Sequence, residues 1–324
     1  MKDLFSIAGK VALVTGGSRG IGRMIAQGFV EAGAKVYISA RKREACEQTA
    51  SELAKIGPCL ALAADLSVES GAKQLAAEIA QREPQLHILV NNAGANWGAP
   101  LSEYPDAAWD KVLGTNVKGP FFLTRELLPL LEKAARPGDP ARVINIGSID
   151  GIQVPLLETY AYSASKAAVH HMTRVLARAL ASRGITVNAV APGPFESKMM
   201  AQTLDQFRDA IVASCPLGRI GEPEDMAGIA IYLASRAGAY VTGAVIPVDG
   251  GIATCRCGGE RWRVRACDEI AAPRSPDLGA HGAPYRLQAS SPRPRHFGRG
   301  RGLGVRVRAA PASAHFLRPR PARP

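Results

Sequence analysis

The stretch Tyr162-Ser163-Ala164-Ser165-Lys166 places a phenol and an ammonium four residues apart. On a helix this spacing puts both side chains on one face. A free tyrosine, with a pKa near ~10, exchanges protons sluggishly at neutral pH. A neighbouring cation favours the phenolate and draws it toward the range where general acid–base catalysis works best. Ser148, at the end of an apolar run, offers a hydroxyl that can hold a substrate carbonyl oxygen. A Tyr/Lys pair at this spacing also occurs on ordinary helix surfaces, so its weight comes from following a strand-terminal serine in a nucleotide-binding fold. Tyr160 is the rival phenol, but only Tyr162 has a lysine four residues on.

The nucleotide signal is the run Thr15-Gly16-Gly17-Ser18-Arg19-Gly20-Ile21-Gly22 between an apolar segment and a helical one. Glycines let the backbone turn tightly against a pyrophosphate, whose charge the start of a helix favours. The spacing is not the common G-x-G-x-x-G, and such a turn also serves as a plain strand-to-helix connection. Sites for the unphosphorylated dinucleotide place an acid at the end of the second strand, where it would repel a 2′-phosphate. Here that strand ends Ser39-Ala40-Arg41, so NADPH is the expected cofactor, with Arg41 and Arg19 approaching its 2′-phosphate. Lys42 and Arg43 read as the solvated first turn of a helix. Asp65, followed by Leu66, is placed to accept a hydrogen bond from an adenine amino group, and reads equally well as a helix N-terminal charge. Asn92, Ala93 and Gly94 suit a close approach of backbone to ligand.

These residues need a frame. Val- and Ile-rich runs at 11–15, 36–39, 60–63, 88–91, 143–147, 186–190 and 245–248 alternate with helical periodicity at 21–32, 43–56, 69–81, 103–135, 160–183 and 222–234. Near-continuous apolarity marks strands covered on both faces. The expected fold is α/β, a single doubly wound Rossmann-like domain on a seven-stranded parallel sheet with right-handed crossovers. Ligands bind such sheets at the strand carboxyl ends, where the residues above fall.

The formal net charge of +12 suggests a nucleic-acid protein, but it is unevenly spread. From residue 253 on there are 15 Arg, no Lys and four acids, leaving residues 1–252 close to neutral. The body's function is therefore not to be argued from basicity. With nine prolines and eight glycines, 253–324 has the composition of a disordered tail and the texture of a GC-rich sequence translated out of frame. Cys46, Cys59 and Cys215 are scattered, pointing to a reducing compartment, and Cys255, Cys257 and Cys267 lack a plausible fourth zinc ligand. No metal is expected. The apolar stretch at 227–248 contains Arg236, three glycines and Pro247, and reads as helix, turn and buried strand, so a soluble cytoplasmic protein without membrane attachment is expected.

In order along 6–252, TGGSRGIG at 15–22, Asp65, NNAG at 91–94, Asn116, Ser148, Tyr162 with Lys166, and Pro192-Gly193 resemble a short-chain dehydrogenase/reductase. MIAQGFVEAGAKVYISAR, PARVINIGSIDG and AGAYVTGAVIPVDGG resemble the 3-oxoacyl-[acyl-carrier-protein] reductases of rhamnolipid biosynthesis. The resemblance implies a catalytic tetrad. Tyr162 gives the proton, Ser148 polarises the carbonyl, Lys166 holds the nicotinamide ribose and lowers the Tyr162 pKa, and Asn116 supports a water linking Lys166 to solvent. It also implies that Pro192, Gly193 and Ser197 meet the nicotinamide carboxamide, with Ser197 standing where Thr is commoner. The segment 195–215 resembles a substrate lid whose Met199, Met200, Leu204 and Phe207 either line an acyl slot or pack on the core. The expected activity is NADPH-dependent reduction of a 3-oxoacyl thioester on acyl carrier protein or CoA by a homotetramer or homodimer with no specific nucleic-acid partner. The alternatives are another ketone, sugar or polyketide carbonyl, or a non-catalytic nucleotide-binding or RNA-associated protein.

Overall fold

A computed structural model describes residues 3–155 and 157–255. The expected tail beyond 255, with Cys257 and Cys267, lies outside the described residues.

Seven parallel strands, β1 (Val11–Thr15), β2 (Lys35–Ala40), β3 (Cys59–Ala63), β4 (Ile88–Asn91), β5 (Ala141–Ile146), β6 (Ile185–Pro192) and β7 (Val245–Val248), stand in the order β3-β2-β1-β4-β5-β6-β7. Strand order reverses between β1 and β4, which opens a crevice at their carboxyl ends. Helices α1 (Gly20–Glu31), α2 (Arg43–Leu53), α3 (Glu69–Arg82), α4 (Asp106–Leu113), α5 (Gly119–Ala134), α6 (Tyr160–Leu180), α7 (Ala201–Ser214) and α8 (Pro223–Ala234) cover or border the sheet.

The continuous apolarity of the strands has the expected cause. In β1, Ala12 and Val14 join a core with α1 and α8 residues such as Ile25, Phe29, Met226 and Leu233. Val11 and Leu13 face the other way, into a core with Leu75 and Ile79 of α3 and Leu123, Leu127 and Leu131 of α5. Each such buried side chain contributes roughly 1.5–3 kcal/mol of transfer free energy, so both layers hold the sheet rigidly under the crevice.

Three expectations change. The helix expected over 103–135 is α4 and α5 joined by one π-helical turn, Gly114–Lys118. Pro120 has no N–H to give the Asn116 carbonyl, so the α-helical ladder cannot run through this point. The strand expected to be buried at the end of 227–248 is β7, the sheet's edge, and it is half-buried. Leu204 of α7 turns into the protein and is 5% exposed, whereas Met199, Met200 and Phe207 line the crevice. Among the described residues no helix is long and apolar enough to cross a membrane.

Candidate active site

The crevice is a cleft of about 790 Å³ along the strand carboxyl ends. Its walls bring together Gly16, Ser18, Arg19, Gly20, Ile21, Gly22, Arg41, Asp65, Leu66, Asn92, Ala93, Gly94, Ser148, Tyr162, Lys166, Pro192, Gly193 and Ser197. Among the residues expected from sequence, Asn116 does not line it; it lies one layer behind, 2% exposed.

At the switch point Thr15 closes β1, and its hydroxyl donates to the Val90 carbonyl at 3.2 Å while accepting from the N–H groups of Asn92 and Ala93 at 2.9 and 3.0 Å. The Asn92 amide donates back to the carbonyls of Thr15 and Gly16. The glycine turn is thereby tied to the end of β4. Gly16 and Gly20 adopt positive φ, +64° and +53°. A Cβ on Gly22 would strike the Asn92 amide and the Gly16 carbonyl. A Cβ on Gly20 would come within 3.1 Å of Ser197 Cβ, so the segment after β6 meets the glycine turn. Gly193 donates to the Val248 carbonyl at 2.9 Å, and a Cβ there would lie 2.7 Å from that of Asp249.

This end of the cleft fits a dinucleotide. Helix α1 starts from an extended Arg19 with no side-chain cap and no acid in its first turn, so its leading N–H groups are available to an anion. The end of β2 carries exposed Arg41 and no acid. Asp65 accepts from the Ser67 N–H and hydroxyl at 3.0 and 2.8 Å. The Ser67 N–H, the Ser67 hydroxyl and Arg41 lower its pKa against the opposing effect of burial. Asp65 thus shapes the turn before α3 and also lines the cleft.

At the other end, Lys166, 5% exposed, donates to the Ile146 carbonyl at 2.8 Å and stands 5.4 Å from the Tyr162 ring centroid. Gly94 borders it: a Cβ there would lie in ordinary contact, 3.9 Å from its Nζ. Burial lowers Lys166 from 10.5 to about 8, against the opposing pull of Asp150. Burial likewise pushes Tyr162 up to about 12, the Ser148 hydroxyl within hydrogen-bonding reach draws it down, and Asp150 raises it. The expected acidification of Tyr162 by Lys166 is thus not what the site shows: burial dominates and the phenol moves up. The ammonium is itself made costly by the same burial and is bonded to a carbonyl. The phenol stays protonated at neutral pH.

The rival Tyr160 donates to Glu158 at 2.8 Å and is absent from the cleft wall. Asn116 accepts from Ala95 N–H at 2.7 Å and donates to the Ala95 carbonyl at 3.0 Å and to Ser165 Oγ at 2.9 Å. Its side chain is thus committed to fixing the segment after β4 against α6.

Sequence reasoning missed three residues. Thr15 was legible as a hydroxyl ending an apolar strand beside the glycine turn. Asp150, on the 3₁₀ turn Ile149–Gly151, donates its N–H to Ser148 Oγ at 3.1 Å and lines the cleft. His170 packs beneath that turn, 4% exposed, and burial takes it from 6.5 down to about 4. Neither Asp150 nor His170 had a signal, because contact between this turn and α6 depends on the crossover.

Comparison with known proteins agrees. Residues 16–253 match the family model described as Enoyl-(Acyl carrier protein) reductase. The chain is 53% identical to a rhamnolipids biosynthesis 3-oxoacyl-[acyl-carrier-protein] reductase of Pseudomonas aeruginosa over 253 residues, 78% of this chain and 99% of that one. It is 38% identical to a 2-dehydro-3-deoxy-D-gluconate 5-dehydrogenase of Pseudoalteromonas atlantica, over 78% of this chain and 98% of that one. The solved Pseudomonas aeruginosa RhlG/NADP active-site complex superposes with a TM-score of 0.75 at 51% identity, covering 78% of this chain and 100% of the other. The matched span, the parallel sheet and the cleft at its switch point agree, and the chain belongs to the short-chain dehydrogenase/reductase family.

Proposed function

We propose that this chain is an NADPH-dependent reductase that converts a 3-oxoacyl thioester, carried on acyl carrier protein or CoA, to the 3-hydroxyacyl form. The observation that carries the reading is Tyr162 beside Ser148 and Lys166 in the cleft that holds the dinucleotide cradle. A 3-oxoacyl-[acyl-carrier-protein] reductase 53% identical over almost its whole length supports the substrate class, and the NADP in a 51% identical structure supports the cofactor.

When bound, the reduced nicotinamide supplies the hydride. Arg41 and Arg19 would hold the 2′-phosphate, the first turn of α1 the pyrophosphate, Asp65 and Leu66 the adenine side, and Asn92, Ala93 and Gly94 the middle of the cofactor. Pro192, Gly193 and Ser197 would set the carboxamide and Lys166 the nicotinamide ribose. Ser148 donates a hydrogen bond to the substrate carbonyl oxygen, and Tyr162 gives that oxygen its proton as negative charge develops there. A phenol held protonated up to about 12 is in the correct form for this direction of reaction. The Asn116 carbonyl, which Pro120 cannot engage, would hold a water that returns a proton through Lys166. The tetrad is thus Asn116, Ser148, Tyr162 and Lys166. Met199, Met200 and Phe207 offer the acyl chain an apolar wall.

The second reading, reduction of a sugar-acid ketone on the same machinery, draws on the gluconate relative. Assaying 3-oxoacyl thioesters, sugar-acid ketones, simple ketones and enoyl thioesters with NADPH and with NADH separates these readings. Preference for the 3-oxoacyl thioester with NADPH supports the proposal, and preference for any other class contradicts it. In our reading the functional unit is 1–252, acts in the cytoplasm and assembles as a homotetramer or homodimer. Removing 253–324 should leave turnover intact.

A further inference from the structure

Among the described residues, two carboxylates line the cleft. Asp65 lies beyond the edge strand β3, held by Ser67 and faced by Arg41. Asp150 lies at the reacting end, two residues after Ser148, to whose hydroxyl its N–H donates.

Its position is fixed by packing. A Cβ on Gly151 would stand 2.7 Å from the Lys166 carbonyl carbon and the Ala167 nitrogen, and one on Gly147 would strike the His170 ring. The turn is therefore seated directly on α6, and Asp150 has no freedom to leave the cleft wall by a shift of its backbone. Helix α6 brings Tyr162 and Lys166 near it and packs His170 against the Gly151 backbone, while Lys111 of α4 and Lys198 of the segment after β6 also line the cleft wall. Its carboxyl forms no hydrogen bond with the described residues; burial raises its pKa, and the Lys166 charge opposes that shift.

A half-buried, unbonded carboxylate beside the serine that receives the carbonyl oxygen controls which charge a substrate can carry near its reacting carbon. Two like charges about 6 Å apart in a medium of effective dielectric about 20 disfavour each other by on the order of a hundredfold, which water in an open cleft reduces to about tenfold. A 3-oxoacyl thioester is neutral in this region, and its ionised groups lie far out on the carrier. A ketone bearing its own carboxylate two or three carbons away is not neutral there.

We infer that Asp150 is a specificity-determining residue that excludes carboxylate-bearing ketones and leaves the site open to neutral acyl esters and thioesters. The inference rests on the carbonyl-reductase reading and decides between its two substrate classes, favouring the thioester over the sugar acid.

The test uses the full chain with saturating NADPH and a matched pair of probes, ethyl acetoacetate and acetoacetate, compared as the ratio of their kcat/KM values at about pH 7, where acetoacetate is ionised. Wild type and variants are compared at this one pH, so no titration enters the comparison. The expected wild-type ratio favours the ester by at least about tenfold. Asp150→Glu should keep the preference. Asp150→Asn should lower the ratio about tenfold, and Asp150→Ala provides the same reading if the amide folds poorly. A wild type that reduces both probes equally, or neutral variants that retain the ratio, would overturn the inference while leaving the reductase reading standing. Turnover of neither probe nor any thioester would overturn the reductase reading itself, and the inference with it.

Discussion

Raising the pH should drive activity and the stability contribution of Lys166 in opposite directions. Burial holds this lysine at about 8 in the folded chain against an ordinary 10.5. Below pH 8 the fold therefore carries a buried ammonium that the unfolded chain keeps in water. A difference of roughly 2.5 pKa units at ~1.36 kcal/mol each makes this cost about 3 kcal/mol. Because the folded pKa is depressed, the unfolded chain binds the extra proton between about 8 and 10.5, and the penalty is relieved as pH rises through that window. Lys166→Met removes the charge but also the hydrogen bond to the Ile146 carbonyl, worth about 1 kcal/mol. The variant should thus be inactive yet about 2 kcal/mol more stable than wild type at pH 7, with the gap shrinking toward pH 9 in urea unfolding curves. In the active enzyme, kcat/KM for reduction should fall tenfold per unit above about pH 8, from one ionisation, because Tyr162 does not ionise until about 12. An activity profile flat to pH 10, or a Lys166→Met variant less stable than wild type at neutral pH, would refute this electrostatic account.

Arg41→Ala should raise the KM for NADPH about five- to tenfold and leave that for NADH within about twofold, since an exposed cation on a phosphate is worth about 1 kcal/mol; steady-state kinetics with both cofactors checks this. Thr15→Val keeps the shape of the side chain but leaves two N–H groups at the switch point without their acceptor, so it should cost about 2–4 kcal/mol in chemical denaturation and weaken NADPH binding. A loss below about 0.5 kcal/mol would show that the hydroxyl does not hold the turn.

The inner strands were legible because the parallel sheet is buried there on both faces, and the half-buried edge strands β3 and β7 because their runs are likewise apolar. The cradle and the Tyr162/Lys166 pair were legible because their order along the chain reproduces a spatial order that the βαβ crossovers enforce. The break at 114–118 was hidden because one π turn preserves the apolar stripe across α4 and α5. Only the Gly119-Pro120 pair marked it, through a missing donor. The direction of the Tyr162 shift was illegible for another reason. Spacing places a cation beside the phenol, but the outcome depends on how much water each group loses and on Ile146 and Asp150, contributed by other elements. The seat of Asp150 on α6 is likewise a product of tertiary packing.

The most direct test of the central claim is the pair of numbers measured on Tyr162→Phe: the NADPH dissociation constant, from fluorescence titration, and the single-turnover rate on a 3-oxoacyl thioester. Removing one hydroxyl from a cleft whose cradle is untouched should leave NADPH binding within about threefold, while the rate falls by at least about a thousandfold, toward the upper part of the range for a lost general acid. A variant that binds NADPH normally and keeps more than about a tenth of the wild-type rate would contradict the assignment of Tyr162 as the proton donor.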